Sequence, residues 1–358
     1  MTILLNKPFQ PCLKTLSEYL KLVNESGWYS NFGKLHEELT SKLESYLGVS
    51  NLLLVSNGTL AIQVACKTFG VKTALSTPFS FSATSSALMW QGIDISYSDI
   101  DNRTLNICPK KLAQRMESSN DFDAIVATHV YGNPCDVDSL SVLANGNNIK
   151  LIYDAAHAFS VMCGEKSVLS YGDASTLSFH ATKLFHTLEG GAIIFREKHD
   201  YLKAKELINF GLDSAGKLVG PGINGKLNEY QCAVGLTNLS HVDTILEVRR
   251  ELFSTYVKEL KNTVEIPLWN SRGNFNGAYM PILLKDEKEK IKVKNNLIDN
   301  NIQCREYFSP SLNTIFKPEE QMPVSELAAK RILCLPLHFY MTCHDVLTVS
   351  NTVKRSLL

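Results

Sequence analysis

The chain has 358 residues, 44% of them apolar and 20% charged, which gives room for a sizeable core in two domains or one large lobe with an appendage. Thirty-six basic residues balance thirty-six acidic ones, so no global field favours a nucleic-acid backbone or an anionic membrane. The nine cysteines form no CxxC pair, which argues against a structural zinc site, a redox dithiol or a disulfide framework and for a reducing cytoplasm.

At the N-terminus the apolar run Ile3–Leu5 is too short for a signal sequence, and no apolar stretch nears the roughly 20 residues of a membrane-spanning helix. A soluble, intracellular protein is expected. From Leu52 onward short β-rich runs alternate with helical patterns, the mark of an α/β fold with a mainly parallel sheet. Strands are predicted at 52–56, 73–76, 94–98, 124–128, 150–154, 174–178 and 191–195, the last of them antiparallel, with a helix at 59–69 after the first. Runs such as Ala124-Ile125-Val126-Ala127 are apolar throughout, as in strands covered on both faces. After His241 the texture changes to long helical segments at 242–262 and 287–300, separated by a short strand at 278–284. That change divides the chain into a large domain, 1–241, and a smaller C-terminal α+β domain, 242–358. No internal repeat is visible.

In an open α/β sheet, ligands bind beyond the C-terminal ends of the strands. Ser56-Asn57-Gly58-Thr59 follows a strand and opens a helix, where free N–H groups and the helix dipole suit a phosphate; alone it is a common helix start. Asp154 ends a buried strand within Tyr153-Asp154-Ala155-Ala156-His157, so its carboxylate needs a cationic partner unless it merely caps the next helix. Ser178 and Lys183 stand five positions apart just past another strand, ahead of Glu189-Gly190-Gly191. A strand-end lysine facing a phosphate cradle and an acid suits Schiff-base chemistry, although most lysines are solvated surface residues.

Three patterns mislead. Gly211-Leu212-Asp213-Ser214-Ala215-Gly216-Lys217 spells most of a P-loop, but Leu218 stands where Ser or Thr would hold magnesium and no strand precedes it. No GxGxxG fingerprint occurs. His157, His180 and His186 with Asp154 match no metal-ligand spacing and read as hydrogen-bonding residues lining a pocket.

Taken together, Ser56–Thr59, Pro78-Phe79-Ser80-Phe81-Ser82-Ala83-Thr84, His129-Val130-Tyr131-Gly132, Asp154–His157, Ser178–Lys183 with Glu189-Gly190-Gly191, and Gly222-Ile223-Asn224-Gly225-Lys226 resemble the DegT/DnrJ/EryC1/StrS family, fold-type I aminotransferases acting on nucleotide-linked keto sugars. The resemblance runs from Asn31 to Leu337. It implies pyridoxal 5'-phosphate bound by Lys183 as a Schiff base, Asp154 at the pyridine nitrogen, Phe81 and Ala156 on the two ring faces, and Gly58, Thr59 and Ser178 at the phosphate. His157 stands where the family often has glutamine and joins the cofactor contacts; Lys226 stands where arginine is frequent. Asn224 would reach in from a partner subunit, which implies a homodimer.

Within the family these blocks look most like the branch acting on dTDP-linked 6-deoxy keto sugars. The expectation is transfer of the amino group of L-glutamate to dTDP-4-keto-6-deoxyglucose, for O-antigen or another surface glycan. Amination at C3 is the alternative. A desulfurase or lyase of the same fold, or a non-catalytic homologue, would be separated by a yellow cofactor band that bleaches with glutamate.

Overall fold

Leu52-Leu53-Leu54-Val55 leaves no polar face, so a strand built from it must be covered on both sides. The computed structural model, which describes residues 2–118 and 121–358, covers it so: Leu52 and Leu54 point into one apolar cluster, Leu53 and Val55 into another. Complete burial of each such side chain contributes about 1.5–3 kcal/mol.

The strands are β1 (Leu52–Val55), β2 (Thr73–Ser76), β3 (Asp94–Tyr97), β4 (Ala124–Thr128), β5 (Lys150–Asp154), β6 (Met162–Cys163), β7 (Lys166–Ser167), β8 (Ala174–Ser178) and β9 (Gly191–Phe195). All but the small β6–β7 ribbon join one seven-stranded sheet of order β1-β9-β8-β5-β4-β2-β3. The pairs β3–β2, β2–β4, β4–β5 and β5–β8 are parallel, while β9 runs antiparallel to both β8 and β1. The predicted strands are thus present, the first and third ending one residue early. No crossover helix intervenes between β8 and β9, so the chain returns antiparallel across the loop 179–190. A Cβ at Gly191 would lie 2.7 Å from the Leu177 carbonyl oxygen and 2.8 Å from that of Asn57, so only glycine lets β9 begin in that gap.

One face of the sheet is packed by α1 (Leu13–Ser26), α2 (Lys34–Leu47) and, later in the chain, by buried residues of the helices at Pro109–Glu117, Val137–Gly146 and Glu229–Leu239; the other is packed by α3 (Gly58–Phe69) and α4 (Ser82–Met89) and by the helix Lys198–Leu207. In chain order those four later helices are α5 (Pro109–Glu117), α6 (Val137–Gly146), α7 (Lys198–Leu207) and α8 (Glu229–Leu239). Beyond them come α9 (Val242–Leu260), β10 (Met280–Leu283), α10 (Glu287–Asp299), α11 (Asn313–Phe316), α12 (Pro323–Arg331), β11 (Ile332–Leu335) and α13 (Cys343–Leu357). The helices expected at 242–262 and 287–300 stop at Leu260 and Asp299, and the strand expected at 278–284 contracts to β10, which pairs antiparallel with β11. Their buried cluster draws on residues from Leu252 to Val353.

A fourth cluster joins this C-terminal part to the sheet, placing Phe79, Ile100 and Tyr131 against Leu283, Phe308 and Ile332. Beside it Asp99 accepts the N–H groups of Val324 and Ser325 at 3.0 and 2.9 Å, fastening the start of α12 beyond the end of β3. No helix among the described residues is long and apolar enough to cross a membrane.

Glu229, 2% exposed, makes a second long-range cap: its carboxylate accepts the N–H groups of Leu35 and His36 at 2.8 and 3.0 Å in the first turn of α2. Charge-assisted bonds to orphan helix donors stabilise most when water is excluded. Glu229→Ala is therefore expected to cost about 2–3 kcal/mol and to lower the thermal midpoint by about 5 °C. A calorimetric scan within 1 °C of wild type, on the order of experimental error, would contradict the cap.

Candidate active site

The site forms where the parallel strands end. A cavity of about 340 Å³ is walled by Asn57 and Gly58 after β1, Ser80 and Phe81 after β2, Thr128 at the end of β4, Asp154, Ala156 and His157 at and after the end of β5 and Thr176 to Ser178 at the end of β8. This is the C-terminal edge at which α/β sheets bind ligands.

On one side the Asn57 side chain caps α3 by accepting from Leu60 N–H at 2.8 Å. Gly58 and Thr59, the first two helical residues, have no intrahelical acceptor, so their N–H groups and the helix dipole face the cavity mouth. A Cβ on Gly58 would sit 2.7 Å from Ser178 Cβ, so glycine is what allows α3 and the end of β8 to close into one cradle.

Across the cavity, Asp154 is 6% exposed. Its two oxygens take neutral donors: Oδ2 accepts the Thr84 hydroxyl at 2.6 Å and Oδ1 accepts the Ala156 N–H at 3.1 Å. Lys183 comes from the loop between β8 and β9. That loop is closed by Phe179 N–H to Gly190 O at 2.8 Å and by a tight turn from Lys183 N–H to His180 O at 2.8 Å. Lys183 Nζ lies 3.5 Å from the Tyr279 hydroxyl. Burial pushes its pKa down from the ordinary 10.5, while the Asp154 carboxylate and the Tyr307 phenol pull the other way. His157 lies under Tyr279, ring centroids 4.6 Å apart, and parallel to Phe308. Burial, with Lys183 nearby, drives its pKa well below the usual histidine range and keeps it neutral.

Phe81, 49% exposed, forms a bare aromatic wall and Ala156 also lines the cavity. Gly58, Thr59, Phe81, Asp154, Ala156, His157, Ser178 and Lys183 are thus gathered in one cavity. Asn224 is not: it is exposed, paired in backbone with Asn209 on a loop beside β1, and absent from the cavity wall. His180 lines the mouth, with Nε2 3.6 Å from Glu189 Oε1. His186 corrects the sequence reading. It turns away from the cavity into the core, 1% exposed, where Nε2 meets the Phe9 carbonyl at 2.8 Å and Asn238 donates to its backbone. The P-loop-like segment is a turn in which Asp213 accepts from Ala215 and Lys217 N–H, with Leu212 bridged to Leu218. Among the described residues no group of three His, Cys, Asp or Glu side chains is arranged to hold a metal.

Sequence reasoning missed a whole wall. Tyr279, Arg305, Tyr307 and Phe308 close the cavity from the C-terminal part of the chain. Buried Arg249 donates to the carbonyls of Gly277 and Ala278 at 2.8 and 2.9 Å, and Asn276 donates to those of His157 and Phe159, so the turn bearing Tyr279 is tied to the loop after β5. Tyr131, stacked on Phe308 at 5.7 Å, hydrogen-bonds through its hydroxyl to the Tyr307 carbonyl.

Over residues 13–354 the sequence matches the DegT/DnrJ/EryC1/StrS aminotransferase family. It belongs to that family. The chain is 35% identical to a dTDP-4-amino-4,6-dideoxy-D-glucose transaminase of Shigella dysenteriae, covering 98% of each protein, and 33% identical to an Escherichia coli enzyme of the same name, covering 94% of each. Its fold superposes on the crystal structure of DesI, solved in the presence of its TDP-sugar product, with a TM-score of 0.92 and 27% identity over 99% of this chain and 92% of that one. As a member of the family, the chain is a pyridoxal-phosphate-dependent aminotransferase of fold type I.

The lowered basicity of Lys183 has a direct consequence. In the cofactor-free enzyme, labelling of Lys183 by an amine-reactive reagent is expected to titrate with a midpoint below 10.5, because burial favours the neutral amine. Peptide mapping of the labelled site across pH measures it. A midpoint at or above that of exposed lysines would contradict the described environment.

Proposed function

We propose that the enzyme moves the amino group of L-glutamate onto a dTDP-linked keto-6-deoxysugar, with dTDP-4-keto-6-deoxyglucose as acceptor and dTDP-4-amino-4,6-dideoxyglucose as product. The observation that carries this reading is the convergence of a partly desolvated lysine, a buried carboxylate and two unpaired helix N–H donors on one cavity. These groups fit the cofactor. Gly58 and Thr59 N–H with the Ser178 hydroxyl suit its phosphate, Asp154 suits its ring nitrogen, and Phe81 and Ala156 suit the two faces of its ring. His157 would add a neutral contact beside the ring. Bound there, pyridoxal phosphate supplies a carbonyl that carries the amino group and an electron sink that acidifies the neighbouring carbon.

The chain's own residues do the remainder. Asp154, held by Thr84 and Ala156, would accept from the ring nitrogen and so keep a proton there. Lys183 Nζ, made less basic by burial, takes and returns the proton at the reacting carbon, with the Tyr279 hydroxyl beside it as a resting partner. Tyr279, Tyr307 and Phe308 exclude water from that end of the cavity. Asn224 would complete the neighbouring protomer's cradle, which makes the homodimer the active unit. The reading also places the active site between a domain of residues 1–241 and one of 242–358, since the cavity takes residues from both.

The acceptor assignment rests on the dTDP-sugar enzymes of Shigella dysenteriae and Escherichia coli among its relatives; other family members act on other nucleotide sugars. The proposed setting is cytoplasmic, in O-antigen or other surface-glycan synthesis. Incubating the enzyme with glutamate, cofactor and each of the 3-keto and 4-keto dTDP-6-deoxyhexoses, then locating the new amine by NMR, tests it. Amination at C4 of the 4-keto sugar is expected. Conversion of the 3-keto sugar alone, or of a UDP or GDP sugar in preference, would overturn the acceptor while leaving the aminotransferase standing.

A further inference from the structure

Three buried hydroxyls run in a line behind the Asp154 carboxylate. Thr84 Oγ1 lies 2.6 Å from Asp154 Oδ2, Ser80 Oγ 2.8 Å from Thr84 Oγ1, and Thr128 Oγ1 3.0 Å from Ser80 Oγ. Thr84 is fully buried, and Ser80 and Thr128 are nearly so. Each sits on a different support: Thr84 in the first turn of α4, Ser80 in the turn between β2 and α4, Thr128 at the end of β4.

Counting protons sets the direction of the line. An ionised carboxylate only accepts, and a hydroxyl has one proton to give. Thr84 directs its proton to Oδ2, so the contact with Ser80 must be made by Ser80 donating. Ser80 has then used its proton, so Thr128 donates to Ser80. All three O–H dipoles therefore point toward Asp154, and the other carboxylate oxygen receives the Ala156 N–H. Aligned bonds of this kind polarise one another, and a bond to a buried charge shifts an equilibrium about tenfold or more.

We propose that Thr84, Ser80 and Thr128 form a positioning relay that orients Asp154 and directs its donors onto the carboxylate, and thereby keeps the shared proton on the ring nitrogen of the cofactor. The proposal rests on the assignment of Asp154 made above. None of the three need touch the substrate. They act through Asp154, and their order along the line sets the order of their effects, Thr84 most and Thr128 least. Without the Thr84 bond the carboxylate loses a donor that favours its bare form, and the balance of the shared proton moves from the ring nitrogen toward Asp154.

The test loads the enzyme with cofactor labelled with ¹⁵N in the ring and reads the nitrogen's chemical shift as a function of pH, which reports protonation there independently of turnover. Wild type is expected to give a protonated ring nitrogen across neutral pH. Thr84→Val, which keeps the shape and removes the donor, is expected to move the balance of the shared proton about tenfold toward Asp154, the change of a lost charged bond, so that the neutral-pH ¹⁵N shift moves from the pyridinium toward the neutral-pyridine value. Thr84→Ser restores the donor and is expected to titrate with wild type. Ser80→Ala leaves Thr84 in place but unsupported, should move the neutral-pH ¹⁵N shift the same way by less, and keeps the test available if Thr84→Val does not fold. A wild-type titration in both Thr84→Val and Ser80→Ala, or an equal shift in Thr84→Ser, overturns the relay alone. An unprotonated ring nitrogen in wild type overturns the relay together with the assignment of Asp154.

Discussion

A carboxylate at the end of a buried strand is tolerable only where donors await it, and much of this active site is organised around meeting that condition for Asp154. β5 delivers the side chain to the C-terminal edge of the sheet. Its two oxygens are then satisfied from different directions, by Thr84 at the start of α4 and by the backbone of Ala156. The same edge brings the unpaired N–H groups of α3 to the opposite end of the cavity, so the two ends differ in the charge they favour. An elongated ligand with an anionic group at one end and a basic nitrogen at the other fits that polarity.

Lys183 is held by different means. Its loop joins two antiparallel strands, β8 and β9, and β9 can begin where it does because Gly191 has no side chain to strike Leu177 and Asn57. The loop 179–190 therefore leaves the sheet at the cavity and returns beside the strand it left. Tyr279, Tyr307 and Phe308, brought in by the C-terminal part of the chain, close the cavity around the amine, and burial there lowers its basicity against the opposing pull of Asp154 and Tyr307. Arg249 and Asn276, both buried, secure the turn that makes this possible.

What the sequence made legible follows the range of the interactions involved. Strands such as 124–128 and 150–154 were readable because apolar runs bounded by turn residues are local signals, and the positions of Gly58, Asp154, Ser178 and Lys183 were readable because each lies at or just past the end of such a strand. Thr84 stood inside a recognisable block, yet nothing local said that its hydroxyl would meet a carboxylate 70 residues away. Tyr279, 96 residues from the lysine it touches, and Arg305, Tyr307 and Phe308 gave no signal at all, because only the docking of the C-terminal part creates their contact. His186 was misread for a related reason. Spacing within a loop does not tell which face of it meets the cavity, and packing against Phe9 and Asn238 turned this ring inward.

The central claim is that Lys183 is the residue that carries the cofactor. Borohydride reduction of the cofactor-loaded enzyme, followed by proteolysis and mass spectrometry, tests it most directly. The account predicts a cofactor-derived mass on the peptide containing Lys183 and its absence in Lys183→Ala. A cofactor-derived mass on any other lysine, or on none, would contradict it.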